Sequence, residues 1–271
     1  LSILCNGSAI NLNCPQYFSP DFNDPDGLLM YGITNNFTPG RCVKSTNRGT
    51  TWAACTTNPF SATYFSSNVV MTVAPDGSML AAAKVDNVSN LCVIKRSNDG
   101  AVTWSTVHTS ATKDCVGFSG TVYSSPMACA SEGLDCVLFG SGAGAMTAQT
   151  AVFHSEDAGI TWSEDPLLIP TLSSPPYFGA RLTASGSIGV TGGPVAAGGV
   201  SSFVFKNSGA YHLTTFVPGT GTNRCTAPLI VHNNPAVLCG PNTISQQYVV
   251  FEITGSIPTL IASFRPTDTP G

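Results

Sequence analysis

Charge is scarce. Asp, Glu, Lys and Arg together make up 10% of the 271 residues, against about 25% in an average soluble domain. This is not the lysine- and glutamate-rich composition of a disordered chain. Eleven basic residues and a net charge of −4 leave no basic stripe for nucleic acid. No apolar run reaches the ~18 residues of a spanning helix, so no membrane span is expected. The chain has no Cys-x-x-Cys pair and only four histidines, His108, His154, His212 and His232. A zinc cluster is therefore poorly supported, and neither a metal nor a cofactor is expected. The lone histidines read as surface or packing residues. Neither terminus reads as a signal peptide, and Leu1 fits the start of a processed chain.

In place of charge the chain has Ser, Thr and Asn, with 27 Gly and 19 Pro. Such a chain turns often and favours short strands over long helices. Ten cysteines are an even and high number, which points to disulfides in an oxidising, secreted setting. Sequons at Asn6, Asn36 and Asn87 fit secretion, although so Asn/Ser/Thr-rich a sequence makes some by chance.

Internal repetition organises the rest. Three segments align without gaps: Ser45-Thr-Asn-Arg-Gly-Thr-Thr-Trp52, Ser97-Asn-Asp-Gly-Ala-Val-Thr-Trp104 and Ser155-Glu-Asp-Ala-Gly-Ile-Thr-Trp162. Each reads Ser-x-Asp/Asn-x-Gly-x-Thr-Trp, with Gly100 and Ala101 departing in the second. The tryptophans are 52 and 58 residues apart. A weaker fourth copy is Asn207-Ser-Gly-Ala-Tyr-His212, with His212 in the Trp position, and a faint fifth is Phe251-Glu-Ile-Thr-Gly-Ser-Ile-Pro258. Upstream of each lies a short strand, a polar turn and another strand. These turns are expected at Asp24-Pro-Asp-Gly27, Pro75-Asp-Gly77, Ser131-Glu-Gly133, Ser185-Gly186 and Asn233-Asn-Pro235. Each repeat is thus two hairpins, or four antiparallel strands in about 50 residues, the content of a propeller blade.

The eight-residue segment resembles the Asp box of the sialidase (BNR-repeat) superfamily and related β-propellers. The likeness covers five repeat positions across nearly the whole chain. It implies a structural turn on the blade periphery, in which Asn47, Asp99 and Asp157 cap backbone amides and are not catalytic acids. The expected fold is all-β, a single five-bladed propeller over 1–271. Its blades are at about 1–55, 56–107, 108–165, 166–216 and 217–271. Six blades at this period need about 300 residues. Residues 1–12 either add a strand to the last blade or cover its edge.

The repeat also restricts the cysteine pairing. Cys42 and Cys55 flank the first box, Cys129 and Cys136 flank Ser131-Glu-Gly133, and Cys225 and Cys239 flank the turn at Asn233. Pairs facing across a hairpin are within bridging distance. Cys5–Cys14 and Cys92–Cys115 remain, and both are local. Five nearest-neighbour disulfides are expected.

Propeller ligands bind at the channel end where the innermost strands begin. The positions just before the first strand of each unit are Gln16, Asn68, Thr121, Arg181 and Arg224, all with hydrogen-bonding side chains. Two guanidinium groups from adjacent units would suit a carboxylate or sulfate. Tyr17 and Tyr123 are aromatics suited to stacking on a sugar. The same positions also fit a merely polar channel rim.

The resemblance makes a sialidase the obvious enzyme to test for. Sialidases of the family have six blades, three arginines on the substrate carboxylate, a Tyr–Glu nucleophile pair and an Asp acid/base. Their early Phe/Tyr-Arg-Ile-Pro segment is absent here. Arg48 lies within a box and Arg96 adjoins one, and Arg41 and Arg265 sit near repeat ends. Glu132, Glu156, Glu164 and Glu252 do not fall beside a channel Tyr. Another glycoside hydrolase needs a carboxylate pair ~5–10 Å apart, for which Asp21 is the best-placed single acid. Asp24 and Asp26 fit a turn or a calcium ion equally. The sequence leans towards a secreted, non-catalytic propeller that binds a glycan, an acidic one included, or an extracellular protein. The alternatives are a self-assembling structural subunit of an extracellular or virion surface, and a sialidase-like glycoside hydrolase.

Overall fold

A computed structural model describes residues 17–21, 23–34, 41–60, 69–85, 91–110, 113–114, 127–130, 133–142, 150–165, 180–182, 188–191, 201–207, 210–216, 225–232, 234–239, 248–253 and 258–264. Their strands form five antiparallel sheets, four of them four-stranded. The first holds β1 (Tyr17–Pro20), β2 (Met30–Thr34), β3 (Arg41–Ser45) and β4 (Ala53–Ala54). The second holds β5 (Val70–Val73), β6 (Met79–Val85), β7 (Leu91–Ser97) and β8 (Ser105–Thr109). The third holds β10 (Met127–Cys129), β11 (Cys136–Gly142), β12 (Thr150–Ser155) and β13 (Ser163–Asp165). It gains a fifth strand, β9 (Lys113–Asp114), which pairs with the end of β11. The fourth holds β14 (Ala180–Leu182), β15 (Ile188–Thr191), β16 (Ser201–Asn207) and β17 (Ala210–Phe216). The fifth holds β18 (Cys225–Val231), β19 (Asn234–Cys239), β20 (Tyr248–Ile253) and β21 (Pro258–Phe264). In each four-stranded order the strands follow the chain, so neighbours are joined as hairpins.

Successive sheets meet through their first strands. β1 lies against β5, β5 against β10, β10 against β14, and β14 against β18. Burial follows from this order. β5 is buried throughout, whereas most of β8 is exposed. In β6, Met79, Leu80, Ala81, Ala82 and Ala83 are all fully buried. A strand facing solvent on one side would alternate, so this run is covered on both faces. One apolar cluster joins the first three sheets through Ile33, Met71, Leu80, Leu138 and Phe153.

The three eight-residue segments make the connections β3–β4, β7–β8 and β12–β13, with Trp52, Trp104 and Trp162 each directly preceding the fourth strand. The weaker copies differ. Asn207 pairs with Ala210, so β16 and β17 join through only two residues, and His212 is a strand residue opposite Phe205. The fifth copy spans the end of β20 and the start of β21. The expected turn at 233–235 also shifts. β19 already includes Asn234 and Pro235, and the turn uses His232 at φ 50°.

Two disulfides form as the hairpins require: Cys42–Cys55 and Cys129–Cys136, with Cα separations of 5.3 and 4.0 Å. Cys92 and Cys239 are also disulfide-bonded, and Cys225 faces Cys239 in the ladder. Cys5, Cys14 and Cys115, and the side chain of Cys225, lie outside what is described.

Candidate functional site

Antiparallel connection gives each sheet two distinct ends. The first strand begins, the second ends and the third begins at one of them, here called the start end. The other, the turn end, carries the connections after the first and third strands. Contacts across sheets fix the turn end for the first three. Asn23, after β1, donates its side-chain amide to Pro75 O at 3.0 Å, after β5. Arg96, near the end of β7, donates to Ala158 O at 3.4 Å in the turn after β12.

The turn end is built from locally satisfied acids. In the β7–β8 turn, Asp99 Oδ1 accepts from the Thr103 amide at 2.9 Å and from Ser97 Oγ at 2.8 Å, and Oδ2 accepts from Thr103 Oγ1 at 2.5 Å. These bonds, the Thr103 hydroxyl first, pull its carboxyl down from 3.8 to about 2. Asp157 repeats the pattern with Ser155 and Thr161. Desolvation pushes its carboxyl up, but the Thr161 and Ser155 bonds outweigh this, so it too lies low. Asn47 sits in the same place and reverses one bond: its Nδ2 donates to Thr51 Oγ1 at 2.8 Å. Asp24 holds the β1–β2 turn by accepting from the Leu28 and Leu29 amides, each at 2.6 Å. Its lowered carboxyl follows chiefly from the Leu29 bond. Among the described residues, no group of three or more His, Cys, Asp or Glu gathers as a metal site.

Asp21, the single acid favoured for hydrolysis, directly follows β1 and accepts from the Asn23 amide at 3.0 Å. It therefore lies at the turn end, away from the start of β1, because the strand comprises only Tyr17–Pro20. Arg48 and Arg96 are at the turn end as well. Arg48 donates to Asp26 O at 3.1 Å, and Arg96 pairs with Asp76. Glu164 bonds His108 at 3.0 Å, joining β13 to β8, while His108 rests edge-on against Phe153. Glu252 accepts from Asn234 at 2.9 Å.

Of the expected ligand ring, Tyr17 opens β1 opposite Ile33, and its side chain is not described. Arg181 is the second residue of β14, opposite Gly189, and so lies within the strand instead of ahead of it. Gln16, Asn68, Thr121, Tyr123 and Arg224 lie outside the described residues. In the chain, Arg224 directly precedes β18. Two features escaped the sequence reading: the His108–Glu164 bond between sheets, and cations at the start end outside the ring. Arg41 begins β3 and is exposed, Lys84 is next to last in β6, and Lys113 pairs with Gly142 at the end of β11. Counting positions where second strands end and third strands begin would have found the first two.

No known family profile and no curated protein sequence matches the chain. Solved structures do. SapL1 lectin in complex with alpha methyl fucoside superposes with a TM-score of 0.52 at 12% identity, over 92% of this chain and 80% of that one. Polysaccharide lyase Uly1 gives 0.53 at 11% identity, over 90% and 68%. An arginine-to-alanine triple mutant of AofleA from Arthrobotrys oligospora gives 0.52 at 10% identity, over 95% and 72%. At these identities the likeness concerns the fold: all-β, with antiparallel four-stranded sheets, as in propeller-type structures. No helix among the described residues is long and apolar enough to cross a membrane.

Proposed function

We propose that the chain is a single five-bladed propeller of the Asp-box type over 1–271, secreted and disulfide-stapled, which binds carbohydrate without cleaving it. The observation that carries this reading is the serial contact of β1, β5, β10, β14 and β18. First strands packed in series around an axis bring their starting residues to one mouth. On this reading Arg181 of β14 and Arg224, which directly precedes β18 in the chain, would serve neighbouring blades, with Gln16, Asn68 and Thr121 as the remaining ring positions and Tyr17 and Tyr123 as the stacking aromatics. The likeness to a lectin and to a polysaccharide lyase supports a carbohydrate ligand. The position of Asp21 and the self-contained bonding of Asp24, Asp99 and Asp157 support binding over hydrolysis. Disulfides at Cys42–Cys55 and Cys129–Cys136 support an oxidising, extracellular location.

A glycan array with wild type, Arg181→Ala and Arg224→Ala tests the reading. Loss of a charge-assisted bond predicts about tenfold weaker binding or more in each variant, with thermal melting unchanged. Binding unaltered in both rejects these arginines as ligands, and an array blank for wild type rejects a glycan ligand.

A second reading, an assembly subunit, is favoured by β21. This outermost strand is uncharged and exposes Leu260, Ile261 and Phe264. Among the described residues no strand pairs with its outer edge, and such an edge can add a strand from a second copy. Sedimentation at rising concentration separates the two readings, because a monomer at all concentrations removes the assembly role.

A further inference from the structure

Formal charge is sorted between the two ends of the sheets. Among the described residues the turn end carries Asp21, Asp24, Asp26, Asp76, Asp99, Asp135, Glu156, Asp157 and Glu252, against Lys44, Arg48, Lys95, Arg96 and Lys206. The start end has the opposite balance. Arg41 of the first sheet, Lys84 of the second, Lys113 bordering the third and Arg181 of the fourth occupy strand ends there. That is one cation from each of four consecutive sheets, and Arg224 directly precedes the first strand of the fifth. Among the described residues the acids near this end are Asp114 of β9 and, on the outermost strand of its sheet, Glu164 and Asp165, with Asp86 following β6 in the chain. A chain of net charge −4 therefore turns a net positive end towards the proposed ligand mouth.

The geometry points to a polyanionic polysaccharide, carried on carboxylate or sulfate groups, as the ligand class of the start end. This rests on the propeller reading above, which sets the first strands of all five sheets running the same way. Cations spread over consecutive sheets cannot converge on one small carboxylate, as a cluster of arginines can. They suit a charged chain laid across the mouth, met at several points. Each point contributes modestly and through a salt-sensitive attraction. The carboxylates of the opposite end repel the same ligand, so binding is directed to one end of the molecule.

The probes are immobilised polygalacturonate, dextran sulfate and neutral dextran, read by biolayer interferometry with the whole chain. Both polyanions are expected to bind at 50 mM NaCl, to weaken about tenfold or more by 200 mM, and to exceed neutral dextran throughout. Arg41→Gln, Lys84→Gln, Lys113→Gln and Arg181→Gln, each checked by thermal melting, are each expected to lose about threefold to tenfold. Glu156→Gln, at the turn end, raises the net charge by one and is expected to leave binding unchanged. The inference is overturned if neither polyanion binds at low salt, if the four variants bind like wild type, or if Glu156→Gln binds more tightly, since net charge alone would then explain the attraction. Binding of neutral array glycans without either polyanion overturns this inference and leaves the carbohydrate reading intact. Salt-sensitive self-association in place of polyanion binding also overturns it, by assigning the positive end to the negative end of another copy.

Discussion

At the residue scale, the turns show how one side chain replaces several missing backbone bonds. Asp99, Asp157 and Asn47 each accept from the amide four residues on, at 2.9, 2.8 and 2.8 Å. The Thr hydroxyl donates to a carboxylate but accepts from an amide, which is why Asp and Asn interchange here. Their response to acid must then differ. Asp99 titrates at about 2 in the folded chain against an ordinary 3.8. Its contribution is complete above the unfolded value and is lost as pH falls through the folded one. Thermal melting from pH 5 to pH 2 is expected to fall more steeply for wild type than for Asp99→Asn, and Asn47→Asp is expected to steepen it further. Glycines provide a second contrast. A Cβ on Gly159, at φ +79°, would lie 2.5 Å from the fully buried Leu80 side chain, whereas one on Gly133, at φ +86°, meets nothing within 4 Å. Gly159→Ala is expected to cost about 3 kcal/mol or more, combining the left-handed backbone with overpacking. Gly133→Ala should cost only about 1 kcal/mol. Urea unfolding of both variants is the measurement, and equal costs would deny the contact between sheets.

At the scale of elements, hairpin signals in the sequence located most of what is observed. Turn residues between β-rich runs mark the β1–β2, β5–β6 and β10–β11 turns, where Gly27, Gly77 and Gly133 all have positive φ. The weaker fourth copy misled because Asn-Ser-Gly-Ala also suits a tight two-residue hairpin. That is what Asn207 and Ala210 form, with no room for an eight-residue turn. The disulfides follow from the same hairpins. Removing a cross-link restores freedom to the unfolded chain. In the chain-entropy account, Cys42–Cys55, closing 13 residues, contributes about 3 kcal/mol. Cys129–Cys136, closing seven, contributes about 2.5 kcal/mol. Calorimetry of Cys42→Ala/Cys55→Ala and Cys129→Ala/Cys136→Ala, each with the other bridge intact, is expected to show the first pair losing slightly more. A gain in melting temperature in either would indicate that the bridge strains its hairpin.

At the scale of the molecule, the sequence pattern was informative about period and class but not about what packs on what. Alternation was a poor guide in β6, where Met79 to Ala83 are all fully buried, because both faces of that sheet are covered by neighbours. The bond between His108 and Glu164 joins residues 56 positions apart, and no local signal announces it. The candidate site was legible only as a set of positions. Arg181 has its place in β14, but Arg41, Lys84 and Lys113 lie in three different sheets and are related only by the register within each sheet together with the contacts between first strands.

The sheets are also keyed to one another in a fixed direction. Gly100, in the β7–β8 turn, faces the hydroxyl of Tyr31 on β2, and Gly159, in the β12–β13 turn, faces Leu80 on β6. These two turns thus act as latches on the second strand of the preceding sheet. Loosening either turn is therefore expected to be felt in the sheet that precedes it in the chain.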